Sequence, residues 1–169
     1  MTYLKANDTI CGKEGFAQIN INGEIHKLFN IKSLEATMEK NKSEIQVIGA
    51  RATQHKTTGW SGSGSMTVHY VSSLFRKLAI EYIKTGKDIY FDMVITNNDP
   101  TSDAGKQTTA LYNCNIDSTI LAKLDIDDDS LEEDMDFTFD DAEMLEEFKE
   151  LAYLKSVSYT HLRAHETKA

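Results

Sequence analysis

Val71–Gly86 reads VSSLFRKLAIEYIKTG. Val71, Leu74, Phe75, Leu78, Tyr82 and Ile83 fall at helical spacing and draw one apolar stripe down about four turns. Ser72 or Ser73 is placed to cap the start, and Gly86 to take the left-handed position past the end. Lys84 and Lys87 sit where the helix dipole favours cations. On both sides of this stretch the apolar residues alternate with period two. The spacing therefore predicts a β protein with one helix laid on it.

Upstream, Met1–Gly15 reads as an extended N-terminal arm. Ala17, Ile19 and Ile21 mark a strand that ends at Asn22-Gly23, the dipeptide best suited to a two-residue hairpin turn. From Glu24 to Lys40 the apolar phase switches from Phe29/Ile31 to Leu34/Ala36/Met38, which implies a bulge near Lys32-Ser33. Lys40-Asn41-Lys42-Ser43 reads as a polar turn, followed by a strand over Glu44–Gly49. Ala50–Gly64, ARATQHKTTGWSGSG, reads as a long polar loop, and loops of that length in compact domains usually carry function. Its tryptophan, Trp60, has two readings of equal standing: a side chain folded onto the core edge, or an anchor for a partner.

Met66, Val68 and Tyr70 alternate into the helix. Beyond it, Ile89–Ile95 reads as a strand and Asn97–Lys106 as a loop. Ala110/Tyr112/Cys114/Ile116 and Ile120/Ala122/Leu124/Ile126 mark two further strands, and Asp127–Ser130 a turn. Met135/Phe137/Phe139 mark the last strand, and an amphipathic piece over Ala142–Leu154 closes the domain. The sum is a mainly β (α+β) fold of about eight strands with one α-helix, in one domain over residues 1–155. Ser156–Thr167, SVSYTHLRAHET, has no such pattern. Residues 156–169 read as translated sequencing-adapter sequence and are expected to lie outside the fold.

Composition narrows the function classes. Of 169 residues 40% are apolar, enough for a sizeable core. No run approaches the ~20 apolar residues of a membrane span, and the N-terminus lacks the order of a signal peptide. Cys11 and Cys114 make no disulfide framework and are expected to be reduced. A formal net charge of −9 disfavours a nucleic-acid binder, which needs clustered Lys and Arg.

The chemistry-bearing residues do not assemble a site. His26, His55 and His69 have no partner at metal-ligand spacing. No serine sits in a nucleophile-elbow motif, and no Gly-rich loop opens a helix. Asp125, Asp127 and Asp129 match the first ligands of a calcium loop, but Ser130 stands where that loop needs Gly and Asp136 where it needs Glu. An acidic turn is the plainer reading. No catalytic residue, metal or cofactor is expected, and the long polar projections suit assembly better than catalysis.

Three stretches carry a family likeness: GKEGFAQININGE (12–24), LEATMEKNKSEIQVIGARATQHKTTGWSGSGSMTVHY (34–70) and EYIKTGKDIYFDMVITNNDPTSDAGKQTTALYNCNIDSTILAKLD (81–125). Together they resemble the PBSX-type phage core tail, or tail tube, proteins over about Lys13–Leu151. The resemblance implies a β-sandwich or barrel flanked by the α-helix, in a subunit of six-fold rings stacked into a hollow tube. It also implies a contractile sheath outside, DNA passing through without specific binding, and baseplate and tail-terminator proteins at the ends. The location implied is the virion tail, assembled in the cytoplasm of a bacterial host. Acidic walls would keep phosphates in transit. Lys40, Asn41, Lys42, Arg51, Thr53, His55 and Trp60 are the candidate subunit-interface residues. Two alternatives remain at this point: the tube of a bacteriocin or secretion machine, and a ligand-binding β-barrel.

Overall fold

The computed structural model describes residues 3–151. The 156–169 segment assigned to adapter sequence lies outside them. Eight strands and one helix run in the order β1 (Gly15–Ile21), β2 (Glu24–Lys27), β3 (Ile31–Ile45), β4 (Gln54–His69), α1 (Leu74–Thr85), β5 (Phe91–Asn98), β6 (Lys106–Ser118), β7 (Glu132–Phe139) and β8 (Asp141–Glu146). All pairings are antiparallel, in the order β2-β1-β5-β6-β7-β4-β3, with β8 added to β6.

The path folds into two facing layers because β6 changes partners along its length. Thr108–Tyr112 lies between β5 and β8, whereas Asn115–Ser118 pairs with β7. The corner falls at Asn113, whose φ of 57° is a left-handed value that asparagine tolerates better than most residues. Its N–H donates to the Asp92 carboxylate at 3.1 Å, and its side-chain amide to Asp140, where β7 passes into β8. The corner also moves the apolar phase of β6. Leu111 and Cys114 are buried where strict alternation placed Tyr112 and Cys114. The interior is filled by Ile19, Met66, Met93, Cys114, Met135 and Phe137, drawn from both layers, where a ligand-binding barrel would keep a chamber.

The hairpin at Asn22-Gly23 forms as expected, with φ of 52° and 87° and Ile21 opposite Glu24. The bulge forms as well, as a register shift between Ile31 and Ser33. Leu28, not Phe29, is the buried residue before it, and its N–H donates to the Ala17 carbonyl at 2.9 Å. β7 keeps its alternation, Met135, Phe137 and Phe139 in and Asp134 and Asp136 out, but β8 follows it. β8 also corrects the start of the amphipathic piece at Ala142; residues 152–154 of that piece lie outside the described residues. The strand expected over Ile120–Ile126 does not form. Leu124 and Ile126 are 99% and 97% exposed, so its alternate apolar residues bury against nothing among the described residues.

The N-terminal residues are docked rather than extended. They make two 3-10 turns, Ala6–Asp8 and Gly12–Glu14, against the loop after β5. Buried Asp99 holds them: its carboxylate accepts from the Cys11 N–H at 2.8 Å and from the Thr101 hydroxyl at 2.7 Å. These hydrogen bonds, Thr101's first, hold its pKa below the ordinary value.

α1 ends as the sequence indicates, with Gly86 left-handed and its N–H on the Tyr82 carbonyl at 2.8 Å. Only its first half is seated, however. Phe75 is buried and Leu74 and Leu78 are half-buried, while Val71, Tyr82 and Ile83 are exposed. A polar staple fixes that half. Arg76 Nη1 meets the fully buried Glu133 at 3.0 Å, its guanidinium lies 3.9 Å above the Tyr70 ring, and Thr119 donates to Glu133 at 2.6 Å. Glu133 is an inward position of β7 that alternation assigns to an apolar residue.

Candidate assembly surface

The seven candidate interface residues come together on one projection. β3 and β4 pair from Ile31↔Val68 out to Ile45↔Gln54, but β7 supports β4 only from Gly62 to His69. Beyond Gly62 the hairpin is a bare two-stranded ribbon. Lys40 lies opposite Trp60, Glu44 opposite His55, and Arg51 and Thr53 lie in the connection at the tip. This corrects two readings. Lys40–Ser43 is the middle of a strand with a bulge at Asn41/Lys42, not a turn. Ala50–Gly64 is a loop only as far as Thr53, because β4 begins at Gln54.

The physical reason lies in Gly62 and Gly64. They occupy the inward positions of β4, and the rings of Phe139 and Phe137 rest on them; a Cβ on Gly62 would lie 2.6 Å from Phe139 Cζ. Glycine here makes room for aromatic rings on a strand rather than flexibility in a loop. The intervening serines, Ser61, Ser63 and Ser65, take the outward positions.

Trp60 sits at the core edge with part of its ring open. Its ring sits 6.1 Å from that of Phe139, yet it is 43% exposed. With Leu34, Ala36, Met38, Leu111 and Ala142 it lines an open apolar groove of about 490 Å³ at the root of the ribbon.

The outward face of the β3-β4-β7 layer is acidic and hydroxylated. Glu35, Glu132, Asp134 and Asp136 share it with Ser33, Thr37, Ser63, Ser65 and Thr67. Lys32 neutralises Glu132 at 2.7 Å, and Thr67 donates to Asp134 at 2.7 Å. Among the described residues no group of three or more His, Cys, Asp or Glu side chains is arranged to hold a metal ion. In the acidic turn, Asp125 accepts from the Asp127 N–H at 3.0 Å, and Asp128 pairs with Lys123 at 3.3 Å. The Cys114 thiol is pushed up to about 12, chiefly by burial, and so is no nucleophile.

A family model described as phage tail tube protein matches residues 2–146. The chain belongs to the phage tail tube protein family. It is 42% identical over 147 residues to the phage-like element PBSX protein XkdM of Bacillus subtilis (strain 168), covering 87% of this chain and 97% of the relative. It is also 42% identical over 146 residues to the uncharacterized protein YqbM of the same organism, covering 86% and 97%. Two solved structures share the fold. One is a chain of the anti-feeding prophage baseplate, with TM-score 0.62, 14% identity, and 86% and 97% of the two chains covered. The other is the SPP1 tail tube, with TM-score 0.57, 9% identity, and 89% and 86% covered. The function is that of a structural subunit of a phage or phage-like tail tube. The sequence reading named the ribbon's residues but missed its supporting glycine floor; the alternation of Gly62 and Gly64 with serines was the available signal.

Proposed function

We propose that this tail tube protein assembles into six-fold rings that stack into a DNA conduit, and that the distal β3–β4 ribbon carries subunit contacts. The tube would lie inside a contractile sheath, between baseplate and tail-terminator proteins, and would be built in the bacterial cytoplasm. The subunit would perform no catalysis. The observation that carries the proposal is the ribbon itself. Among the described residues its 39–61 portion is paired only to itself, and two-stranded ribbons are marginal in water unless something packs on them. Assembly supplies that packing. The acidic face of β3-β4-β7 is the wall that would repel phosphates and keep DNA moving.

The test is to replace residues 41–59 by Asn-Gly, which closes Lys40 to Trp60 as a two-residue hairpin. A shorter loop by itself changes stability little. Circular dichroism is expected to show a folded protein, and negative-stain microscopy at high concentration no tubes. Tubes of normal length from this variant would refute the role of the ribbon.

A further inference from the structure

The two ends of β4 carry surfaces that match each other. Its first end is the ribbon tip, where Ile45, Val47 and Ile48 are exposed, Ile48 at 105%. From Lys40 to Lys56 the ribbon holds four cations, Lys40, Lys42, Arg51 and Lys56, against one carboxylate, Glu44, in a chain of net charge −9. The other end of β4 runs into α1. There the unseated half of the helix stands beside the start of β5 and the end of β6, leaving an open groove of about 560 Å³. Leu78, Tyr82, Ile83 and Leu121 give the groove its apolar lining, and Asp88 and Asp117 its charge; among the described residues no lysine or arginine lines it. Ile83 is 65% exposed.

We propose that the groove beside α1 receives the ribbon tip of a second copy of this chain, with Ile48 and its neighbours against Tyr82 and Ile83, and Arg51 and Lys56 toward Asp88 and Asp117. Three observations select a second copy. The tip is basic and the groove acidic, and complementary charge steers encounter and fixes register. Both are apolar at the centre, as the core of an interface requires. Finally, the first eight residues of β4, Gln54–Ser61, carry the tip about 26 Å beyond the part of the strand that β7 supports, so a chain cannot fill its own groove. Tip and groove are different patches of the chain. A contact between them is heterologous and does not close as a dimer; it adds copies head to tail. The inference rests on the tube reading and specifies which surfaces meet when one subunit follows another along the strand direction.

The experiment uses the full chain with Cys11→Ser, because Cys11 is exposed and Cys114 buried. Ile48→Cys and Ile83→Cys are made separately in that background, mixed, and treated with a short bis-maleimide. A covalent dimer from the mixture, with little from either variant alone, is expected. Arg51→Glu is expected to reduce its yield several-fold, and adding Asp117→Lys to the partner variant to restore it. Sedimenting wild-type tubes without the mixed dimer would overturn this pairing and leave the tube reading standing. Neither tubes nor dimer would overturn both. A mixed dimer without tubes would support the contact and count against the tube.

Discussion

Gly64→Ala tests the account of the Gly-Ser stretch directly. A methyl group at this position would meet Phe137 on one side, with Cε1 at 2.8 Å and Cζ closer still, and the backbone carbonyl of Glu35 at 2.7 Å on the other. Ordinary contact needs at least about 3.4 Å. Phe137 is fully buried, and the Glu35 carbonyl belongs to the paired strand β3. Overpacking of a well-filled core costs about 1–3 kcal/mol, and two unyielding neighbours place this case near the top of that range. The entropy gain of replacing glycine in the unfolded chain returns only about 0.4–1 kcal/mol. A net loss of about 2 kcal/mol is expected, or roughly 4–8 °C in Tm for a domain of this size. Urea denaturation should show a lower midpoint at unchanged slope. Ser63→Ala, on the outward face of the same strand, is the control and should stay within about 0.5 kcal/mol of wild type. If Gly64→Ala unfolds at or above the wild-type midpoint, β4 does not carry the Phe137 ring and the glycine explanation fails.

Phe75→Ala should cost about 3–5 kcal/mol and Leu78→Ala less than the about 2–5 kcal/mol of a fully buried leucine, because only Phe75 on α1 is buried; chemical denaturation of the two variants gives the order. Arg76→Met should cost about 3–5 kcal/mol by stranding the buried Glu133 carboxylate, with the adjacent Thr119→Val milder. The lowered pKa of Asp99 contributes stability that is present above the unfolded value of 3.8 and is lost as pH falls through the folded value below it. Asp99→Asn should therefore be less stable than wild type at neutral pH, with the gap closing below about pH 4 in thermal melts across pH. Trp60→Ala should weaken tube formation, read by sedimentation, while leaving most of the stability, because its ring is half open; unchanged assembly with a sharp drop in Tm would leave the tryptophan a core-edge residue only.

Local chemistry determined much of this protein from its sequence. The helix from the apolar stripe to Gly86, the hairpin at Asn22-Gly23, the bulge near Lys32 and the alternation of β7 each follow from a few neighbouring residues, and each forms. The resemblance carried the family. What the sequence left open were features whose cause lies far along the chain. The GWSGSGS run reads as loop because glycine and serine favour loops; it is strand because Phe137 and Phe139, more than seventy residues later, need bare backbone to rest on. The Ile120–Ile126 alternation reads as strand, yet no strand forms there and Leu124 and Ile126 face solvent. The stripe of α1 continues to Ile83, but the body of one subunit covers only its first half. Alternation and spacing record what a segment can bury. Which partner is there to bury it against is settled only when distant strands meet.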